Sequence, residues 1–505
     1  MLGGRNKYRK LSKVFLQGSK MNITLITSIL MDYAGIGLKP FSMDKIRSCP
    51  PYGVYLLAAI LQKKGHNVVL IDLIEQGSLS LGEYISEIEN SNVIGISATS
   101  LSWPSAKDII IALKKKYPQK IIVLGGVHAS IFDKYLLKTF PIDFIVRGEA
   151  DEAFPLLIEA LENKADIANV PNVSFRVGGK VVQTKLCKCV DMEEYNYPLP
   201  DYSNLKSNVY KGLAIESSRG CPFNCIFCST LYRQSWRGIR PEAFVDRLID
   251  ISPFCSKTVI GCIQITDDEF TANWIRAKKI GDLLSKKRTN IPLIYDARAN
   301  DLAHEEVVEA LAPHTYRLLV GAECGYDQGL EKIGKGTTCE RIQKAASILY
   351  KYGISEKCDF SFILGLPWER KEDILKTISF ACNLYSTYGI RLILQWFYLI
   401  PGSSLWQKKA NSGRITPSFY DNYGFFQNLY VFFEGVKLAP KDIYEITDRV
   451  MPIVKLAKIN DYGENHIVYS HPSVVSSYFK RDSLDKSYTD SLQNLEKISM
   501  NVRMN

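Results

Sequence analysis

Twice along this chain, apolar β-branched runs alternate with amphipathic helical stretches, and that alternation restricts the fold more than any other feature. In the first series, residues 23–29, 68–71, 93–96, 121–124 and 144–146 read as strands, with 52–63, 105–116 and 152–161 as helices. A strand that is apolar at nearly every position needs burial on both faces, which a parallel sheet covered by helices provides. Five such strands predict an α/β, doubly wound, flavodoxin-like domain over 21–163, with its ligand beyond the carboxyl ends of the strands. A second series begins at Leu213, with strands near 213–217, 258–265, 293–296, 316–322, 359–364 and 392–398 and helices such as 242–251, 274–285, 305–311, 339–352 and 371–385. These six strand–helix repeats predict a partial (β/α)6 barrel over 213–400, short of the eight that close a full one. Between the two, 164–212 reads as a structured linker with a hairpin at Gly178-Gly179 and a proline-bearing exit at Pro198 and Pro200. Residues 401–505 read as a helical, aromatic-rich cap.

Charge excludes more than it suggests. Of a net +10, +6 sits on Arg5, Lys7, Arg9, Lys10, Lys13 and Lys20, in a leader (1–20) without an acidic residue. That segment reads either as a basic arm for an acidic surface or, preferably, as a disordered leader, with Met21 as an alternative start. The remaining +4 is ordinary for 505 residues, so no nucleic-acid partner is expected. There is neither an apolar run of about eighteen residues nor a secretory signal, so no membrane span is expected and the cytoplasm is the expected location. The twelve cysteines should then be thiols or metal ligands rather than disulfides.

Three of them stand together. The segment Ser217-Ser218-Arg219-Gly220-Cys221-Pro222-Phe223-Asn224-Cys225-Ile226-Phe227-Cys228 directly follows the first barrel strand. Thiolates are the soft ligands of iron–sulfur clusters, and three of them leave one of four irons open to a small chelator. Structural zinc is disfavoured, because no fourth Cys or His follows at finger-like spacing. A chance grouping has no reason to follow the first strand of a barrel.

With that spacing, that position and the aromatic Phe227 before the last cysteine, the chain resembles the radical S-adenosylmethionine superfamily. The resemblance implies that Cys221, Cys225 and Cys228 hold a 4Fe-4S cluster whose open iron chelates S-adenosylmethionine. One electron from a flavodoxin- or ferredoxin-like donor then yields a 5′-deoxyadenosyl radical that takes hydrogen from a small-molecule substrate. It also implies cofactor contacts at Phe227 and at later strand ends. Asp267, Asp268 and Glu269 would lie near the methionine amine, Arg298 near its carboxylate, Glu323 on the ribose, and the backbone around Ile363 and Gly365 at adenine. The charges suit these roles, acid against ammonium and guanidinium against carboxylate. The plainer alternatives are that the three acids cap the next helix and that Arg298 forms a surface ion pair.

The first domain resembles the cobalamin-binding domain found in a large branch of that superfamily. The residues that carry this are Pro51-Tyr52-Gly53, Gly95-Ile96-Ser97, Gly125-Gly126-Val127-His128 and Arg147-Gly148-Glu149. Small and polar residues at three successive strand ends let a large flat ligand approach the backbone. The resemblance implies corrin contacts at Ser97, Thr99, Gly125, Gly126, His128, Gly148 and Glu149. Better-known cobalamin proteins carry D-x-H-x-x-G after the first strand, but 30–51 contains no histidine here. Asp72 to Gly77 mimics the spacing with Ile74 at the histidine position, after the wrong strand. Cobalt is therefore expected without a protein imidazole, and His128 in a helix-opening or phosphate-contacting role.

With both cofactors present, methyl transfer to an unactivated carbon (or phosphorus) is the leading reading. A cobalamin-dependent radical cyclase or oxidase, as in oxygen-independent chlorophyll synthesis, is the next. A non-catalytic cobalamin sensor is argued against by the intact cluster loop. Methylthiolation is disfavoured because the amino-terminal region has only Cys49 for a second cluster; Cys187 and Cys189 read as loop thiols, and Cys324 as packing. The aromatic cap hints at a partly apolar substrate.

Overall fold

Residues 20–29, 31–33, 38–40, 49–187, 189–207, 209–397, 399–413, 415–421, 438, 440–459 and 465–470 are described by the computed structural model. The basic leader except Lys20, most of the loop 30–51 and the aromatic stretch 422–437 lie outside the described residues. Two units form, one chiefly from Pro51–Val190 and one chiefly from residue 202 onward.

In the first unit, β1 (Asn22–Thr27) lies between β2 (Asn67–Ile71) and β3 (Val93–Ser97), followed by β4 (Ile121–Gly125) and β5 (Phe144–Val146). All of these pair in parallel, in the order 2-1-3-4-5 of the expected doubly wound sheet. Leu25, Leu61, Val93, Val123, Phe154 and Leu157 form its core, each side chain contributing about 1.5–3 kcal/mol through burial. The predicted hairpin forms as β6 (Val173–Val177) and β7 (Lys180–Gln183), but it extends this sheet antiparallel to β5 instead of standing in a linker. Pairing there leaves Val173 wholly buried, whereas a free hairpin would expose it.

The second unit is a parallel sheet in chain order: β8 (Gly212–Ile215), β9 (Cys262–Ile265), β10 (Leu293–Ala297), β11 (Thr315–Glu323), β12 (Cys358–Leu364), β13 (Arg391–Trp396) and β14 (Ile467–Ser470). The six expected strands are there, and the region read as a helical cap adds a seventh. That four-residue strand lies far along the chain from β13, so it carried no repeat signal. Trp396 Nε1 donates to Tyr469 Oη at 2.9 Å, tying it to β13. Each strand shows two faces. Ile263, Leu293, Tyr295, Leu318, Phe360 and Leu392 are fully buried, while the opposite face presents Gln264, Asp296, Ser361 and Gln395. At the amino ends, Asp359 joins Arg317 and Arg391 in one ion-pair group that holds the register of β11 to β13.

Candidate active site

The cysteine loop is a closed excursion from the end of β8. Ser218–Arg219 pairs antiparallel with Arg237–Gly238 at its base. Within the loop, the Cys221 amide donates to Tyr232 O at 3.2 Å, and Gln234 N to Cys221 O at 2.6 Å. Ile226 N donates to Ile333 O at 3.0 Å, anchoring the middle of the loop to a later turn. Gly220, just before the first cysteine, has φ +78, and a Cβ there would meet Ser235 O at 2.5 Å and Tyr232 O at 2.7 Å. Only glycine fits. Cys225 is buried and Cys221 and Cys228 are half-buried. Among the described residues no His, Cys, Asp or Glu side chains converge as ligands of a single ion, whereas a cuboidal cluster takes one thiolate per iron at separate corners. Burial pushes the Cys221 thiol up to about 11.

The charged strand ends divide into braces and ligand-facing groups. Asp267, wholly buried, accepts from Ser217 N at 2.6 Å and from the Ser217 and Ser218 hydroxyls at 2.5 and 2.6 Å. Burial raises its pKa, opposed by the Arg276 guanidinium and these hydrogen bonds. Arg276, also buried, donates to Ser217 O and Ile239 O, both at 2.8 Å. Asp268 accepts from Gly220 N at 2.9 Å and is the exposed member of the three acids. Glu269 caps a short helical turn, and Thr271 Oγ1 lies 2.9 Å from both its carboxyl and that of Asp301. One hydroxyl proton cannot serve two carboxylates. Burial, then the Asp301 charge, push the Glu269 carboxyl up to about 8. Two of the three acids, Asp267 and Asp268, thus brace the base of the cysteine loop.

Arg298 is different. It lies over the Phe223 ring, 3.5 Å from guanidinium carbon to centroid, with Nη1 3.8 Å from Cys225 Sγ. Its Nη2 donates to Lys335 O, and its buried Nε has no hydrogen-bond partner among the described residues. An orphaned buried donor beside a cysteine of this loop suits an anionic ligand. Glu323, at the end of β11, is buried with φ +66 and pairs with Lys335 Nζ at 2.7 Å. Ile363 is buried at the end of β12, Gly365 follows at φ +80, and Phe227 is half-buried on the cluster loop. Cys324 is fully buried, as its packing role requires.

In the first unit, Ser97, Gly125, Gly126 and Gly148 are half-buried and Thr99 is exposed, making a ledge low in side chains at the strand ends. A Cβ on Gly125 would meet nothing within 4 Å, so the ledge is open there. Such a surface fits a flat macrocycle. His128 does not reach it: the ring is wholly buried, stacked on Trp103 at 5.0 Å, with Nδ1 3.0 Å from Ser100 Oγ. Burial lowers its pKa to about 3, so it stays neutral. Glu149 is also inward, accepting from Val190 N at 2.6 Å. Both residues hold the fold together beneath the ledge. Asp72 caps the helix Leu73–Gln76, which accounts for the histidine-free spacing mimic.

Comparison with known proteins agrees with this geometry. Residues 47–158 match the B12 binding domain and 215–381 the Radical SAM superfamily. An uncharacterized methyltransferase of Pyrococcus horikoshii is 30% identical over 71% of this chain and 78% of its own length. The chain belongs to the cobalamin-dependent radical S-adenosylmethionine enzymes. The anaerobic magnesium-protoporphyrin IX monomethyl ester cyclase of Synechocystis is 28% identical over 60% of this chain, which spans 63% of the cyclase. The radical S-adenosylmethionine methyltransferase TsrM of Kitasatospora setae, solved with cobalamin and an iron–sulfur cluster bound, shares the fold at TM-score 0.61 and 16% identity, over 78% of this chain and 75% of TsrM. A 4Fe-4S cluster, S-adenosylmethionine and cobalamin are the cofactors of this family. No helix among the described residues is long and apolar enough to cross a membrane.

Two residues of this enzyme's site escaped the sequence: Lys335, between Gly334 and Gly336, and Glu369, four residues after Gly365. Glu369 is fully buried and accepts from Gly365 N at 2.8 Å and Leu366 N at 2.9 Å, with Tyr326 Oη donating to it at 3.0 Å. It therefore shapes the loop expected at adenine. Burial raises its pKa from 4.5 to about 7. The folded state then carries one proton more than the unfolded state between those values, so stability contributed by this group declines as pH rises through that window. In thermal melts from pH 5 to 8, Glu369→Gln should show a flatter pH dependence than wild type. An unchanged slope would remove Glu369 as its source.

Proposed function

We propose that this enzyme transfers a methyl group from S-adenosylmethionine, through cobalamin, to an unactivated carbon of a small-molecule metabolite. The observation that supports this reading is Arg298, whose Nε has no partner among the described residues and whose Nη1 lies 3.8 Å from Cys225 Sγ, so that it would hold the carboxylate of S-adenosylmethionine. Glu323 would accept from the ribose hydroxyls, and the backbone around Ile363 and Gly365, held by Glu369, would receive adenine. Burial of Arg298, Glu323 and Lys335 keeps water from these contacts and strengthens them. When bound, the cluster and S-adenosylmethionine supply a carbon radical, and cobalamin supplies the methyl carrier. The reading includes a one-electron donor of flavodoxin or ferredoxin type. It also places the enzyme in the cytoplasm, since free thiols and such a cluster need reducing surroundings.

A second reading, favoured by the similarity to the cyclase, keeps both cofactors but ends in cyclisation or oxidation without methyl transfer. The experiment that separates them incubates anaerobically reconstituted enzyme with hydroxocobalamin, methyl-labelled S-adenosylmethionine and a low-potential reductant. S-adenosylhomocysteine, label in the corrin fraction and 5′-deoxyadenosine together are the expected products. Deoxyadenosine without homocysteine product or labelled corrin would overturn methyl transfer and leave the second reading.

A further inference from the structure

Lys335 has an unusual setting. Its side chain is buried although both neighbours, Gly334 and Gly336, are exposed and have left-handed φ of +68 and +66. The turn is tied down at three successive carbonyls, two of them to the cluster loop and the third to Arg298 just after β10. Ile333 O accepts from Ile226 N at 3.0 Å, Gly334 O lies 3.8 Å from Cys225 Sγ, and Lys335 O accepts from Arg298. The ammonium itself pairs with Glu323, and Cys225 lies within its electrostatic reach. Gly321 makes room for this pair: a Cβ there would overlap the Glu323 carboxyl and come within 2.6 Å of Lys335 Nζ. The other acids facing Lys335 are Asp296, Glu269 and Asp301. Glu323, 2.7 Å from Lys335 Nζ, is the carboxylate that pairs with the ammonium.

We propose that Lys335 is a positioning residue that links the cluster to the cofactor face, its ammonium stabilising the reduced cluster at Cys225 while its pairing with Glu323 meters that effect. The proposal rests on the reading that Cys221, Cys225 and Cys228 hold the cluster. Reduction adds negative charge to the cluster, and a fixed cation in a low-dielectric surround favours the more negative state. Removing the cation therefore lowers the reduction potential. Removing its counter-charge raises it. A purely structural role would move both variants the same way or not at all, so the opposite signs are diagnostic.

The test uses anaerobically reconstituted full-length wild type, Lys335→Met, Lys335→Arg and Glu323→Gln, each checked for iron and sulfide content. The cluster potential is followed by electron paramagnetic resonance during redox titration at pH 7, the same for all four proteins. The expected result is a shift to more negative potential for Lys335→Met, a shift to more positive potential for Glu323→Gln, and wild-type behaviour for Lys335→Arg. Equal or same-sign shifts in Lys335→Met and Glu323→Gln overturn the proposal. If Lys335→Met takes up no cluster, the sign of the Glu323→Gln shift decides alone: positive supports, zero or negative overturns. A wild-type chain that binds no iron overturns the underlying cluster reading, and the proposal falls with it.

Discussion

Replacing Cys225 by alanine is expected to reduce cleavage of S-adenosylmethionine to the background without enzyme and to cut iron retention by more than about 100-fold, beyond the loss typical of outer-sphere changes. Cys225 is the buried member of the three, and its sulfur lies near both Arg298 and the Gly334 carbonyl. It is the most enclosed corner of the site, so neither water nor a neighbouring thiol replaces it readily. Cys382→Ala, a half-buried thiol on the helix Lys371–Tyr388, is the control and should keep wild-type iron content. The measurement is iron analysis with quantification of 5′-deoxyadenosine by mass spectrometry. A Cys225→Ala enzyme that still cleaves the cofactor would remove the cluster from that loop. Because Cys225 lies in the second unit, corrin retention by the variant should be unchanged.

The reverse separation is expected from Gly126→Ala. Gly126 opens the helix Val127–Thr139 with φ +95 and ψ 178, a region of backbone space that is essentially glycine's alone. An added Cβ would overlap the carbonyl oxygen of Ala98 and lie 2.9 Å from its nitrogen, and backbone cannot swing aside as a side-chain tip can. Strain of about 1–3 kcal/mol and overpacking of about 1–3 kcal/mol add at this site. The strand-end ledge should therefore distort, and bound cobalamin, read from its optical spectrum after gel filtration, should fall to trace levels. Iron content should hold. If corrin binding survives in Gly126→Ala, the ledge is not where the macrocycle sits.

Much of this enzyme was legible before any fold was known because its signals are local. The parallel strands of the first sheet and six of the seven in the second are legible in apolar runs, and in 93–96 and 121–124 every residue is apolar or glycine, so burial follows from the hydrophobic effect alone. The cluster loop was legible for a similar reason, since three thiolates within eight residues must end near one another whatever the rest of the chain does. Gly126 and Gly220 were equally visible as glycines, though not the atoms that exclude a Cβ there.

The remainder was decided by contacts that the tertiary structure alone creates. Asp267 was expected to face a ligand, yet it meets Ser217 fifty residues earlier and spends its hydrogen bonds on the cluster loop. Arg298 reaches Cys225 across 73 positions, and Tyr326 reaches Glu369 across 43. His128 opens the helix Val127–Thr139 as expected, but its ring is buried and stacked on Trp103, which makes it part of the core. The sequence by itself determined most of the strands and the grouping of three cysteines in one loop, because hydrophobic period and residue spacing act over a few residues. Only the tertiary structure decided which acids brace the loop that carries the cysteines, because a charged side chain takes its role from the partners that folding brings within a few ångströms, and at low dielectric those partners outweigh its own identity.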